Sequence, residues 1–219
     1  MRQAYTQKEQ GIKELFAGHK LSYPPKQIFL RVFKQEMLLE LWVAETPGQA
    51  MALLKEYPVC ASSGDPGPKR KRGDGQVPEG FYQINHFNPH SNFHLSLGLD
   101  YPNRSDRLFG DRNDPGSAIY IHGDCVTIGC IPITDEGIKE LYLIALEAKA
   151  NGQQAIPVHL FPCRMNGTSY QALLAETRES LKLPEFWANL KQGYDIFELN
   201  KIVPKVQVDR MGKYLFNQQ

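Results

Sequence analysis

The sequence predicts an α+β fold, and three observations support that prediction. Runs of β-branched and aromatic residues are concentrated in the first two thirds of the chain, whereas helical periodicity is concentrated in the last third. Strands that come first and helices that come last are typical of α+β proteins, because parallel α/β folds alternate the two. The composition, 42% hydrophobic and 22% charged over 219 residues, is that of a globular protein with a sizeable core.

The N-terminal part is predicted to form a helix and a strand hairpin. Thr6 and Glu9 have the spacing of a capping box before apolar residues at helical spacing, which predicts a helix over residues 7–17. Two β-rich segments joined by Lys34-Gln35 predict a hairpin, and a short helix and a short strand follow it. These four elements are expected, in order, at residues 27–33, 36–44, 48–57 and 59–62.

The middle of the chain is predicted to alternate polar loops with strands. Residues 62–80 and 101–115 are rich in Gly, Pro and charged residues and show no periodic burial, so both predict loops. Strands are expected at residues 81–86, 93–99 and 118–122.

The C-terminal part is predicted to be mainly helical. Thr134 is the expected N-cap of a helix, because Asp135 and Glu136 place negative charge at its positive end and Asn151-Gly152 terminates it. Further elements are expected as a strand at 155–160, helices at 168–181 and 184–201, and a strand at 203–208.

Charge and hydropathy exclude two broad classes of partner. The net charge of +1 gives no bulk attraction to nucleic acid, and no apolar run of about 18 residues predicts a transmembrane segment. Met1 to Thr6 contain no apolar segment of the kind found in signal peptides. Taken literally, that indicates the cytoplasm, and the oligomeric state stays open.

The most informative motif is a His-Gly turn followed by a Thr-x-Gly-Cys turn at residues 119–130. Cys130 is the predicted nucleophile and His122 the predicted base, because a thiol needs a nearby base to attack a carbonyl at neutral pH. Gly129 allows an unusual backbone turn, and the N–H groups of Gly129 and Cys130, with Ile128 as a third candidate, are the expected oxyanion donors.

These residues resemble the signature of the L,D-transpeptidase catalytic domain family of the YkuD type. The short spacing from His122 to Cys130, with Ile128 in place of a second histidine and Pro132 in place of an arginine, resembles the YafK branch. Three segments before the motif and one after it also resemble that branch, and they lie at residues 67–74, 78–82, 101–106 and 156–162.

The resemblance implies a mostly β catalytic core with flanking helices. It places an N-terminal helix and hairpin at residues 1–56, the core at 57–165 and a C-terminal helical extension at 166–219. It also implies that the backbone carbonyl of Gly123 orients His122, so that the neighbouring Asp124 need not act as a third catalytic group.

The implied activity is peptidoglycan modification through a Cys130 thioester with a peptide stem. Release to an amine would be L,D-transpeptidation, and release to water would hydrolyse a diaminopimelate amide, including one that links a lipoprotein. The expected partners are peptide stems and such a lipoprotein, without nucleic acid, metal or cofactor. The resemblance further implies export to the periplasm or cell envelope.

Five side chains are candidates for substrate binding, each with a structural alternative. The basic run that begins at Lys69 either grips substrate carboxylates or forms a solvated loop. Tyr82, Tyr101 and Asn103 either line the groove, as the resemblance implies, or pack it. Thr127 is expected to fix its turn more than to contact substrate.

The remaining cysteines and histidines leave alternatives open. Cys125 is a rival nucleophile without a preceding glycine, and one disulfide among the four cysteines can form, although its pairing is open. Cys60 and Cys163 are expected as small buried residues. A zinc site from His122, Cys125, Cys130 and His159 lacks the usual ligand spacing, and His86, His90 and His94 are expected to face solvent. A binding module without turnover and a metal or redox thiol protein are the alternative functions.

Overall fold

A computed structural model describes residues 2–177, 180 and 182–217. It contains one large sheet, one small ribbon and five helices. The helices are α1 Arg2–Gly18, α2 Arg104–Phe109, α3 Asp135–Ala150, α4 Gly167–Glu176 and α5 Lys182–Asn200. The strands are β1 Gln27–Phe33, β2 Leu38–Ala44, β3 Ala52–Pro58, β4 Gly80–Asn88, β5 Ser96–Leu99, β6 Tyr120–His122, β7 Ile131–Pro132, β8 Pro157–Phe161, β9 Lys205–Val208 and β10 Tyr214–Asn217.

The eight-stranded sheet has the order β3-β2-β1-β8-β4-β5-β6-β7, and β9 pairs with β10 separately. Most neighbours in the sheet are antiparallel, whereas β1 with β8 and β6 with β7 are parallel. The α+β prediction is therefore confirmed. Among the described helices, none is long and apolar enough to cross a membrane.

Side-chain alternation along β1 explains why the sheet is covered on both faces. Leu30 and Val32 contribute to the core beneath α1 and α3, while Phe29 and Phe33 pack on the opposite face with the C-terminal elements. Every residue of β1 after Gln27 is buried. The ring of Phe197 in α5 lies 4.9 Å from that of Phe29, so the C-terminal extension covers the sheet directly.

Several predicted elements are confirmed, with shifted ends. The hairpin β1–β2, the strands β4, β6 and β8, and the helices α1, α3 and α5 all lie where the sequence indicated. Thr134 caps α3 as predicted, since its hydroxyl accepts from the N–H of Gly137 at 3.2 Å. β5 and β9 are shorter than expected, and α4 ends at Glu176; residues 178, 179 and 181 of that prediction lie outside the described chain.

Two predictions in the segment after the hairpin are wrong. Residues 48–57 were expected as a helix, but β3 forms there and pairs antiparallel with the edge of β2. The apolar spacing is too short to distinguish the two structures, and the open edge of β2 supplies backbone partners that a strand can use. Residues 59–62 are not a strand, because their backbone makes single bonds, such as that from Cys60 N–H to the Pro132 carbonyl at 2.9 Å.

Three elements were not predicted. α2 lies inside the predicted loop 101–115 and has a capping box between Asn103 and Asp106. The strands β7 and β10 are two and four residues long, too short for a periodic signal. The sheet also runs across the expected boundary at residue 57, since β1, β2 and β3 belong to it.

A fully buried carboxylate joins three parts of the fold. Glu79, at the end of the loop before β4, accepts from Lys34 Nζ at 2.9 Å and from the Gly67 N–H at 2.9 Å. Its second oxygen accepts from the Trp187 Nε1–H of α5 at 2.7 Å. Lys34 also donates to the carbonyls of Gly67 and Val77. Glu79 therefore connects the sheet, the long loop and the C-terminal helix.

Replacing Glu79 with Gln is expected to lower the free energy of unfolding by about 3 kcal/mol, because it leaves the buried ammonium of Lys34 without a counter-charge. Equilibrium urea unfolding checks this. The matched control is Glu185→Gln, which breaks the exposed pair with Lys213 and is expected to leave the midpoint nearly unchanged. Equal midpoints for the two variants would contradict the role given to Glu79.

Candidate active site

His122 ends strand β6 and is almost fully buried, with 2% of its surface exposed. Its Nδ1 makes a short hydrogen bond with the carbonyl of Gly123. Because a carbonyl accepts only, Nδ1 carries the proton and Nε2 keeps its lone pair. The ring of Phe93 packs against the imidazole, with 4.9 Å between the ring centroids. This is the arrangement that a general base requires, and the Gly123 carbonyl lies where the resemblance implied.

Cys130 immediately precedes β7, the parallel neighbour of β6. The register pairs His122 with Pro132, so Cys130, two residues earlier, projects from the same face of the sheet as His122. Both side chains line one cavity of about 580 Å³. The parallel pairing thus brings two residues eight positions apart to one site, diagonally across neighbouring strands.

The turn before Cys130 is held by the Thr127 hydroxyl, as expected. This hydroxyl donates to the Cys130 carbonyl at 2.9 Å and accepts from the Gly129 N–H at 3.1 Å. Gly129 has φ +132°, and a Cβ there would lie 2.8 Å from the Gln76 carbonyl oxygen, so glycine is needed on both counts.

The structure changes the set of candidate oxyanion donors that the sequence indicated. The N–H of Gly129 is engaged by Thr127 and does not point freely toward the thiol. Within the described chain, the N–H groups of Ile128 and Cys130 have no hydrogen-bonded acceptor. These two groups are the better candidates.

Burial keeps the thiol and the imidazole neutral. Desolvation raises the pKa of Cys130. A hydrogen bond from the backbone N–H of Tyr120 and the charge of Lys69 lower the pKa, but they offset only part of this increase. Desolvation lowers the pKa of His122, opposed by its bond to Gly123 and the charge of Asp124. Both shifts favour the neutral forms, a thiol and an imidazole that line the same cavity, so proton transfer would accompany attack.

A disulfide joins Cys60 to Cys125, with 5.4 Å between the Cα atoms. The expectation that Cys60 is simply a small buried residue is wrong, because it is only half-buried and forms the one disulfide that the sequence left open. Its partner lies 65 positions away, so local sequence could not identify the pairing. Cys125 has no free thiol and cannot be the nucleophile in this form. Cys163 is buried, as predicted, and its thiol is free, so Cys130 is the partly exposed free thiol among the described residues.

The pairing also removes a ligand from the zinc hypothesis. Across residues 2–177, 180 and 182–217, no three His, Cys, Asp or Glu side chains converge as a metal site. His159 lies apart on β8, buried between Phe29 and Phe81 on the C-terminal face. His86, His90 and His94 are exposed, as expected.

Three of the predicted substrate residues lie away from the cavity and pack the adjoining loop. Tyr82 is buried and donates to Asp106 at 2.9 Å, and Tyr101 is buried and donates to the Pro115 carbonyl at 2.8 Å. Asn103 caps α2 and donates to the Phe81 carbonyl at 3.0 Å. The packing alternative describes these three side chains better.

Lys69 lies closer to the thiol but is committed to another partner. Its ammonium is buried, forms an ion pair with Asp74 at 2.6 Å and donates a hydrogen bond to the Lys71 carbonyl at 3.0 Å. Lys69 and the exposed Arg72 line a second cavity of about 440 Å³ that also reaches Cys130. The charge of Lys69 lowers the pKa of Cys130, but its ammonium is already paired and is not free to bind a substrate carboxylate.

Two groups at the site had no sequence signal. Phe93 lies in a loop where nothing marks it as a partner of His122. Asp135 was expected to complement the helix dipole, yet its Oδ1 also accepts from the Asp124 N–H at 2.8 Å. A Cβ on Gly123 would lie 2.6 Å from that same oxygen and 3.0 Å from Cγ2 of Ile138, so a larger residue there would require these side chains to move.

Comparison with known proteins gives consistent results. Residues 31–159 match the YkuD family, the L,D-transpeptidase catalytic domain. The chain is 35% identical over 190 residues to YafK of Escherichia coli (strain K12), a provisionally assigned L,D-transpeptidase; the alignment covers 86% of this chain and 73% of YafK. The same values hold for YafK of Escherichia coli O157:H7.

Two solved structures show partial similarity to this chain. The helical cell shape determining protein Pgp2 of Campylobacter jejuni, as a K307A mutant, gives a TM-score of 0.49 at 16% identity, covering 85% of this chain and 73% of that one. Bd1075 of Bdellovibrio bacteriovorus gives 0.45 at 18% identity, covering 86% and 79%.

Alkylation with iodoacetamide is expected to modify Cys130 first in the native protein. Cys163 is buried, and Cys60 and Cys125 form a disulfide, so none of these three cysteines competes with Cys130 for the reagent. Because burial raises the pKa of Cys130, the rate should still be rising with pH where an ordinary exposed thiol has levelled off. Peptide mass spectrometry at a series of pH values measures this. Faster labelling of Cys163, or a rate that levels off below pH 8, would contradict the neutral thiol–imidazole pair.

Proposed function

The chain belongs to the YkuD family of L,D-transpeptidase catalytic domains, and we propose that it is a peptidoglycan-modifying enzyme that works through a Cys130 thioester. The observation that carries this proposal is the pairing of β6 with β7. It presents His122, with Nε2 unprotonated, and the partly exposed Cys130 to a single cavity. A thiol, a base of fixed tautomer and open backbone donors are the parts that acyl transfer requires.

The first half-reaction follows from this geometry. Nε2 of His122 takes the thiol proton as Sγ of Cys130 attacks the amide carbonyl of a peptide stem. The N–H groups of Cys130 and Ile128 donate to the oxyanion of the tetrahedral intermediate. His122 then returns the proton to the leaving amine, and the carbonyl carbon stays on sulfur as a thioester.

The second half-reaction determines the product, and we propose hydrolysis of a diaminopimelate amide. Water, deprotonated by His122, attacks the thioester and releases the acid and the thiol. Ile128 at the cavity mouth is 87% exposed and Pro132 is buried in β7, so the two positions offer no histidine or arginine to an amine acceptor. A stem that carries a linked lipoprotein is the proposed substrate, and transfer to an amine is the competing outcome.

The disulfide supports the proposed location. Structural disulfides persist in oxidising compartments and are rare in the cytosol. The Cys60–Cys125 bond therefore favours the periplasm or cell envelope, where peptidoglycan lies. It argues against the cytoplasmic reading of the N-terminal residues.

Cys130→Ala is expected to abolish turnover, at least a thousandfold, while the fold persists, because the side chain lies in a turn beside a cavity. The matched control is Cys163→Ala, a free buried thiol in the other core, which should keep its activity. Product formation from purified muropeptides and sacculi, analysed by chromatography, measures both. Full activity in Cys130→Ala would refute the thioester, and an inactive native protein would favour the binding-module alternative.

Sacculi that carry a covalently linked lipoprotein are expected to lose that protein when incubated with the enzyme. Released protein, quantified by mass spectrometry together with the muropeptide profile, gives the ratio of hydrolysis to cross-linking. Cys130→Ala serves as the blank. Accumulation of 3→3 cross-linked dimers without released protein would refute hydrolysis and leave transpeptidation as the activity.

A further inference from the structure

The loop that joins His122 to Cys130 has few restraints of its own. Four of its residues, Asp124, Cys125, Val126 and Ile128, are exposed. The Thr127 hydroxyl bonds only within the turn, and the Asp124 N–H reaches outside the loop to Asp135. An exposed segment with so few bonds samples many conformations unless something else holds it. The pairing of β6 with β7 brings His122 and Cys130 to one cavity, but Cys130 itself lies in the turn before β7, so the loop contributes to the position of its thiol.

The disulfide supplies the missing restraint. Cys125 lies inside the loop, and its partner Cys60 is fixed to the elements that follow Cys130. The Cys60 N–H donates to the Pro132 carbonyl of β7 at 2.9 Å, and its sulfur accepts from the Thr134 N–H at 3.5 Å. The loop is thus tied covalently to a residue that is itself bonded to both β7 and the start of α3.

We propose that Cys60 and Cys125 are positioning residues for the acyl transfer, and that their disulfide keeps the loop in the conformation that sets Cys130 against His122. This rests on the proposed function. Neither sulfur touches the reacting atoms. The bond acts through the loop, because it fixes the backbone that carries Thr127, and Thr127 in turn holds the carbonyl of Cys130 and the N–H of Gly129.

The same arrangement makes the site responsive to dithiols. Cys125 is exposed, so a thiolate of a dithiol reductant attacks its Sγ and displaces Cys60 as a thiolate. The Thr134 N–H at the N-terminal end of α3 already donates to that sulfur and stabilises its negative charge. The reductant's second thiol then attacks the mixed disulfide and forms a cyclic disulfide. Cys125 leaves as a thiol, so two electrons pass from the reductant to the protein.

The test compares the native protein, the double variant Cys60→Ser/Cys125→Ser and the matched control Cys163→Ser. Each is assayed before and after dithiothreitol and after its removal in air. We expect the double variant to lose at least tenfold in kcat with little change in KM. Its amides at residues 123–129 should exchange hydrogen at least tenfold faster, and the pH profile of Cys130 alkylation should shift. Dithiothreitol should impose the same changes, reversibly, on the native protein and on Cys163→Ser, but not on the double variant.

Four further outcomes are informative. Unchanged loop exchange, an unchanged alkylation profile and a kcat within twofold in a folded double variant would overturn the proposal. Loss of activity in the double variant without faster loop exchange would overturn it as well. If the double variant does not fold, the dithiothreitol-treated native protein decides by the same three measurements. If the native protein has no turnover, the proposed function fails, while exchange and alkylation still decide whether the disulfide positions Cys130.

Discussion

The buried carboxylate of Glu79 is the interaction on which the arrangement of the site depends. It pairs with Lys34 from the end of β1, accepts from Gly67 in the long loop and accepts from Trp187 in α5. Such a group is stable without water only while every partner stays in place. The loop that it holds places the Gln76 carbonyl against Gly129, where only a glycine fits. A series of contacts therefore runs from the C-terminal helix to the turn that precedes Cys130.

This series of contacts explains what the C-terminal helix α5 contributes to the structure. α5 covers the second face of the sheet through Phe197 and, through Trp187, fixes the loop before β4. The helices α1 and α3 cover the other face, so the central strands are buried on both sides. The site lies beside β7, the last strand of the sheet, where a cavity reaches Cys130. Rigid strands carry His122, and an exposed loop carries the approach to Cys130.

The electrostatics of the site differ from those of a thiolate–imidazolium pair. Partial burial disfavours a charge on Cys130 and on His122. The positive charge of Lys69 compensates little, because Lys69 forms an ion pair with Asp74. A neutral pair attacks more slowly than a preformed thiolate but resists oxidation better, since oxidation follows thiolate character. In an oxidising compartment, joining Cys125 to Cys60 also removes the nearest free thiol in the sequence that could trap Cys130.

Local sequence was sufficient for the features that depend on neighbours in the chain: the hairpin, the Thr134 cap and the unusual backbone turn at Gly129. Only the tertiary structure decided the rest. These features join residues that lie tens of positions apart: the Cys60–Cys125 disulfide, the hydrogen bonds by which Tyr82 and Asn103 support the loop, and the Glu79–Trp187 contact. A short segment such as 52–58 becomes a strand because the edge of β2 is there to pair with it. Periodicity records which side of a segment is apolar, whereas the partner that buries it is chosen by the packing of the whole chain.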